Sequence, residues 1–298
     1  MTDSEILRLR ERIHSLEQEL RERDQEVAFL KNELSEVNFR LERLVEQSKY
    51  ELKLIHKIQN ALVPTEYPNI SGFEFSTKFV ASAIKGGDYF DLFDIPEKMK
   101  FGIMMSCSSG YAMSALLMSV LMKYSGYRLT GKSDKAAEIV REIQSELAGQ
   151  LDDSHEASFF FSLVNRRTYQ MDFCALGSVS VFYFDYSSGE IELLKNNPFP
   201  LTKKKIDNLE CQLISLNPRD RLIICSHGLF EATDLDGKRF TPKELLPALK
   251  AVARSPVHDL RNEVLYQVEK FTSGAEVRRD RTVVVMEVKD RVIKLAKG

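Results

Sequence analysis

From Ile6 to Leu62 the chain repeats on a seven-residue rule. With Ile6 at position a, the a positions are Ile6, Ile13, Leu20, Val27, Leu34, Leu41, Ser48, Ile55 and Leu62. The d positions are Leu9, Leu16, Arg23, Leu30, Val37, Leu44, Glu51 and Ile58. Only Arg23, Ser48 and Glu51 break the apolar seam, and no glycine or proline interrupts it. A repeat this sustained predicts a left-handed coiled coil. As one helix, residues 6–62 would extend about 85 Å, too far to be buried inside one domain. The flanking charges modestly favour a parallel pair: Arg12 faces Glu17 and Glu26 faces Lys31, against a repulsive Glu19–Asp24. A homodimer through residues 6–62 is therefore expected. Past residue 45 the seam weakens, while Val45, Leu52 and Leu54 take outer positions. That stretch needs a second surface, expected to be the domain that follows. Pro64, Pro68 and Gly72 end the helix.

After Gly72 the period changes to two. FEFSTKFVAS, DYFDLFDI and KMKFGIMM read as antiparallel strands, separated by Lys85-Gly86-Gly87 and Pro96-Glu97-Lys98. Helices are expected over residues 110–128 and 133–149, the second from the spacing of Ala136, Ile139, Val140, Ile143 and Leu147. Strands return in FFFSLVN, YQMDFCAL, VSVFYFDY and EIELLK, with Ser187-Ser188-Gly189 as a hairpin turn. RLIICS at 221–226 and TVVVMEV at 282–288 read as buried strands, with helices over 242–254 and 257–271 between them. This order predicts a layered α+β domain over residues 66–290, after a coiled-coil unit at 1–62 and before a short basic tail at 291–298.

Composition narrows the class. With 43% hydrophobic and 29% charged residues, the chain can bury a sizeable core, and its net charge of −2 argues against nucleic acid as a partner. No apolar run is long enough for a membrane span, and the charged start MTDSEILRLRER does not resemble a secretory signal, so a cytoplasmic location is expected. Cys107, Cys174, Cys211 and Cys225 lack paired spacing and are expected to be reduced.

The candidate chemistry centres on MMSCSSGYAMSALLMSV at 104–120, an apolar strand running into a small-residue turn at Ser106–Gly110 and then a helix. Such turns place chemistry at a strand tip, yet this one holds no carboxylate, imidazole or lysine. Its context supplies the reason. IHKIQNALVP at 55–64, KGGDYFDLFDI at 85–95, SCSSGYAMSALLMS at 106–119, NPRDRLIICSHGLFEATDLDGKRF at 217–240 and RDRTVVVMEV at 279–288 occur in an order that resembles the SpoIIE/RsbU-type branch of the PPM metal-dependent Ser/Thr phosphatases. The resemblance covers residues 52–289. It implies an αββα sandwich, two antiparallel sheets flanked by helices.

For activity the same resemblance points the other way. Family members hold two Mg²⁺ or Mn²⁺ ions on carboxylates at these motif centres, because hard dications need oxygen ligands and their mutual repulsion needs negative charge. Asp88 matches a metal-binding aspartate and Asp91 a nearby acidic position. Ser106 stands where the bridging aspartate belongs, His227 replaces the aspartate of the Ser226-His227-Gly228 segment, and Arg279 replaces the first of two closing aspartates, leaving Asp280. Glu231 and Asp236-Gly237 match, whereas Ser178 stands for a usual histidine and Arg219 for a usual turn glycine. A guanidinium stays charged at any accessible pH, and like charges roughly 4 Å apart cost about 4 kcal/mol at an effective dielectric of 20. Arg279 therefore either points inward, excluding a metal and pairing with Asp88 in its place, or turns outward within Arg278-Arg279-Asp280-Arg281.

No cysteine takes over the chemistry. Counting six from Cys107 reaches Met113 and from Cys225 reaches Glu231, so neither makes the Cys-x5-Arg cradle of a cysteine phosphatase. The expected protein is a dimeric pseudophosphatase that binds rather than hydrolyses and needs no cofactor. The resemblance implies bacterial phosphorylation-dependent signalling and a phosphorylatable partner such as an anti-sigma-factor antagonist. The alternatives are an active enzyme, with Mn²⁺ or Mg²⁺ on Asp88, Asp91 and His227, and a coiled-coil assembly protein with a structural head.

Overall fold

The computed structural model describes residues 3–62, 68–82, 87–108, 112–129, 132–148, 156–204, 206, 208–274 and 279–290. Pro64, the Lys85-Gly86 half of the first glycine turn, Ser109 and Gly110, and the tail at 291–298 lie outside the described residues. The chain divides into two compact units, Met1–Leu54 and Ile55–Gly298.

One unbroken helix, α1, runs Asp3–Leu62, as the absence of glycine and proline allows. Its seam lies open in the single chain: Leu34 is 61% and Leu44 63% exposed. Among the described residues no helix is long and apolar enough to cross a membrane.

The second unit holds two antiparallel five-stranded sheets. The strands are β1 (Phe73–Val80), β2 (Asp88–Ile95), β3 (Lys100–Ser108), β4 (Ala157–Asn165), β5 (Gln170–Leu176), β6 (Ser180–Asp185), β7 (Glu190–Leu193), β8 (Gln212–Ser215), β9 (Arg221–Cys225) and β10 (Arg281–Val288). One sheet has the order β1-β10-β9-β6-β7 and the other β2-β3-β4-β5-β8. Strand alternation sorts each side chain into a layer. In β2, Phe90 and Leu92 join the core between the sheets, while Tyr89 and Phe93 face outward into a second core beneath α2 (Ala112–Leu129) and α3 (Ala136–Ala148). A third core lies between the other sheet and α5 (Pro242–Val252) and α6 (Val257–Thr272). The expected α+β sandwich is therefore present, with helices on both outer faces.

Each helix seats by a local device. The predicted face of α3, Ile139, Val140, Ile143 and Leu147, is buried. Helix α2 lies close to its sheet because Gly126 has no Cβ, an atom that would fall 2.4 Å from the Phe93 ring. Its opposite face is also apolar, with Leu117, Val120, Tyr124 and Tyr127 exposed. Helix α5 begins with a capping box, the Thr241 hydroxyl accepting from the Glu244 backbone while Glu244 accepts from the Thr241 N–H.

Three local expectations are corrected. Ser106, Cys107 and Ser108 belong to β3 rather than to a turn, pairing with Phe159, Ser158 and Ala157 of β4; strands on both sides complete their hydrogen bonds, so the small side chains do not end the strand. The short elements β8 and α4 (His227–Phe230) are present, at four residues each too brief for a periodic signal. Cys174 and Cys211 are not reduced thiols but a disulfide, since β5–β8 pairing brings their Cα atoms to 4.5 Å. Cys107 and Cys225 are free and buried, as expected.

Arg221 fastens helices to sheet. It is buried in β9, pairs with Glu287 on β10, and donates to the carbonyls of Ala253 and Ser255 after α5. Arg221→Ala leaves a half-buried carboxylate and two carbonyls without their donor. The expected loss is about 3 kcal/mol in urea denaturation.

Candidate functional site

The start of β2, the end of β3, the end of β9 and the start of β10 meet at one end of the sandwich. Register places Asp88 opposite Cys107; the Ser226 N–H donates to the Thr282 carbonyl, and the Thr282 N–H donates to the Ser226 hydroxyl. Asp88 points between the sheets. Its carboxylate accepts a 2.8 Å bond from the Thr282 hydroxyl and further bonds from the Ser226 hydroxyl and the Cys107 thiol. Burial, followed by the charge of Asp280, raises its pKa to about 7, against the pull of those three donors. Burial, and then Asp88, also pushes the Cys107 thiol well above its ordinary value, so it is no thiolate nucleophile.

Asp280 does a different task. One carboxylate oxygen accepts the Ser82 N–H at 2.8 Å, and the other accepts those of Gly87 and Asp88 at 2.8 and 3.2 Å. It thereby ties both sides of the β1–β2 connection to the closing strand. Gly228 completes the packing: a Cβ there would fall 1.9 Å from the Asp280 carbonyl oxygen.

His227 and Arg279 form a chain of their own through Glu231. His227 opens α4, and its Nε2 lies 2.9 Å from Glu231 Oε1 one turn later. Arg279 reaches the other oxygen of the same Glu231 through its Nε. Arg279 thus neither pairs with Asp88 nor stands free in solvent; it closes onto Glu231. The His227 Nδ1 and Ser106 Oγ are buried without a hydrogen-bond partner among the described residues.

Of the six candidate positions, Asp88 and Asp280 are brought together, and His227 and Arg279 meet through Glu231. Asp91 and Ser106 fall elsewhere, on the opposite face of their strands. Asp91 shares Tyr89's side, where it accepts the Tyr89 hydroxyl at 2.7 Å and the Leu92 N–H at 2.8 Å. Burial raises its pKa. Ser106 shares the side of Met104, beneath the helices. Ser226 and Thr282 were missed as site residues, although each sits at a strand end within a quoted motif.

These residues do not fit a pair of dications. Both oxygens of Asp280 hold backbone amides, Asp88 is enclosed by hydroxyl and thiol donors, and the imidazole and guanidinium share Glu231. Among the described residues no group of three His, Cys, Asp or Glu side chains is arranged to hold a metal ion.

The two sheets and their helices are matched in known proteins. A family profile for Stage II sporulation protein E (SpoIIE) fits residues 98–289. The chain belongs to the SpoIIE family. Its fold is that of the SpoIIE/RsbU branch of PPM phosphatases. The SiaA-PP2C domain of Pseudomonas aeruginosa is similar at a TM-score of 0.69 and 17% identity, covering 81% of this chain and 97% of that one. The RsbU and RsbW domains of a Mycobacterium tuberculosis protein give 0.65 and 14%, covering 76% and 63%. The SpoIIE phosphatase domain with a regulatory fragment, from Bacillus subtilis, gives 0.62 and 16%, covering 75% and 64%. No curated protein sequence matches the chain. At these identities the likeness to SpoIIE-type structures carries the fold alone.

Two measurements check this geometry. Gly228→Ala should cost roughly 3 kcal/mol or more, because a backbone carbonyl cannot step aside as a side-chain tip can. In chelator, the raised Asp88 pKa makes the native state retain a proton that the unfolded chain releases between about pH 4 and pH 7. The Asp88 contribution to stability is then greatest below pH 4 and falls across that window by up to about 1.4 kcal/mol per pH unit. Asp88→Asn should flatten this part of the urea-derived stability profile.

Proposed function

We propose that this protein is a catalytically silent member of the SpoIIE family that works by binding a protein partner as a homodimer in the bacterial cytoplasm. The observation that carries this reading is the closed Arg279–Glu231–His227 chain beside an Asp280 whose oxygens already hold the backbone. Two of the places where relatives are expected to carry metal-binding carboxylates are filled by His227 and Arg279, both bonded to Glu231. A partner in phosphorylation-dependent, partner-switching signalling follows by analogy with RsbU-type proteins, and the phosphorylatable antagonist of an anti-sigma factor is the chemical class expected. The exposed apolar face of α2 offers contact area for such a partner.

A second reading, a divergent active phosphatase, is favoured by one atom: the buried His227 Nδ1 lacks a hydrogen-bond partner and is a nitrogen a metal could use. Calorimetric titration of Mn²⁺ into the full chain, with phosphatase assay of the same sample, separates the two. Silence at millimolar metal is expected. Saturable binding with turnover that disappears in Asp88→Ala would establish the enzyme instead.

The dimer is tested through its seam. Leu30 and Leu34 are more than half exposed in the single chain. Leu30→Glu with Leu34→Glu should convert a sedimenting dimer into monomer while leaving the melting of the second unit unchanged. A wild-type chain that sediments as a monomer at micromolar concentration would remove the dimer from the proposal.

A further inference from the structure

Between Cys174 and Cys211 the chain leaves the β2–β5 sheet, builds β6 and β7 in the other sheet, and returns as β8. The disulfide closes this excursion, a sequence separation of 37, at its two ends. We infer that the bond is a redox-operated staple on the sheet edge. Oxidised, it fixes β8 against β5; reduced, it lets residues 208–215 open while the rest of the domain stays folded.

The holding forces without the bond are a short ladder, three side-chain hydrogen bonds, and the packing of Leu209 and Ile214 at the margins of the two cores. β8 is the outermost strand, joins β5 through four residue pairs, and has half-buried and exposed residues in alternation. Beyond the ladder, Gln212 Nε2 donates to the Lys195 carbonyl, and Asn197 exchanges two bonds with the Glu210 backbone. By contrast, β6 is anchored in the other sheet between β9 and β7, independently of β8. Releasing the staple therefore loosens an edge and not a centre.

The two sulfurs differ in access. Cys174 is 1% exposed within the core under α3, whereas Cys211 is half-buried at the surface end of the bond. A small thiolate reaches the Cys211 sulfur, forms a mixed disulfide there and releases Cys174 as thiolate, which takes up a proton. A second thiolate attacks the outer sulfur of that mixed disulfide. The Cys211 thiolate leaves and the small-molecule disulfide departs, so two electrons pass from two thiols to the protein bond. A disulfide oxidant such as oxidised glutathione reverses the sequence.

The test uses the full chain equilibrated with either reduced or oxidised glutathione. Alkylation in denaturant should label only Cys107 and Cys225 in the oxidised sample, and all four cysteines in the reduced one. Amide exchange over residues 212–215 should quicken about tenfold or more on reduction, with β3 and β4 unchanged. Cys174→Ser should show the fast exchange under both conditions. Four labelled cysteines after oxidised glutathione would overturn the inference, as would unchanged exchange over 212–215. Faster exchange spread through β3 and β4 would also overturn it, because the bond would then support the whole domain.

Discussion

The carboxylate of Asp280 sits where two sheets and the β1–β2 connection converge, and it accepts backbone N–H groups from Ser82, Gly87 and Asp88. A buried carboxylate is costly unless its lone pairs are filled, and here the main chain fills them. The arrangement fixes the start of β2 and therefore where Asp88 enters the space between the sheets. It also sets Asp88 beside a second negative charge, which, after burial itself, raises the Asp88 pKa. The hydroxyls of Ser226 and Thr282 and the thiol of Cys107 then complete a shell of protein donors around Asp88. Gly228 is required by the same contact, since α4 lies directly on the Asp280 carbonyl.

Much of the architecture was legible because it follows from periodicity. The apolar alternation of β1 and β2, the near-continuous runs of β4 and β10, and the face of α3 each state their element and their buried side. Arg219 was legible in another way. It occupies a position where a turn glycine is usual, and its φ of 70° is the left-handed conformation a glycine would supply. Its guanidinium pairs with Asp290 and lies over the Tyr186 ring, contacts a glycine could not make.

The site was legible in its residues but not in its bonds. Linear spacing put Asp88 and Asp91 together as candidate ligands, whereas an offset of three in a regular strand sends them to opposite faces. The resemblance set Arg279 at a family metal-binding position, but its choice of Glu231 over Asp88 depends on where α4 leads after β9. A four-residue helix carries no periodic signal that would reveal this. The disulfide was missed for a similar reason. Its cysteines lie far apart in sequence and become neighbours only because an edge strand returns from the opposite sheet.

The substitutions are most coherent as a balanced set. On the proposed reading, a hydroxyl, an imidazole and a guanidinium at Ser106, His227 and Arg279 stand where the resembling enzymes carry carboxylates. The lost negative charges and the gained positive one together add as much positive charge as a pair of dications brings. On that reading the net charge of the domain is preserved when the metals and their carboxylates are both absent. Charge taken out of water needs a partner close by, which Arg279 and Glu231 give one another. A single exchange would have left the site unbalanced: an aspartate at 279 would face Glu231 as a like charge, where Arg279 now neutralises it. On the proposed reading the set therefore resists reversion one residue at a time, since restoring one carboxylate without a metal adds an unmatched charge.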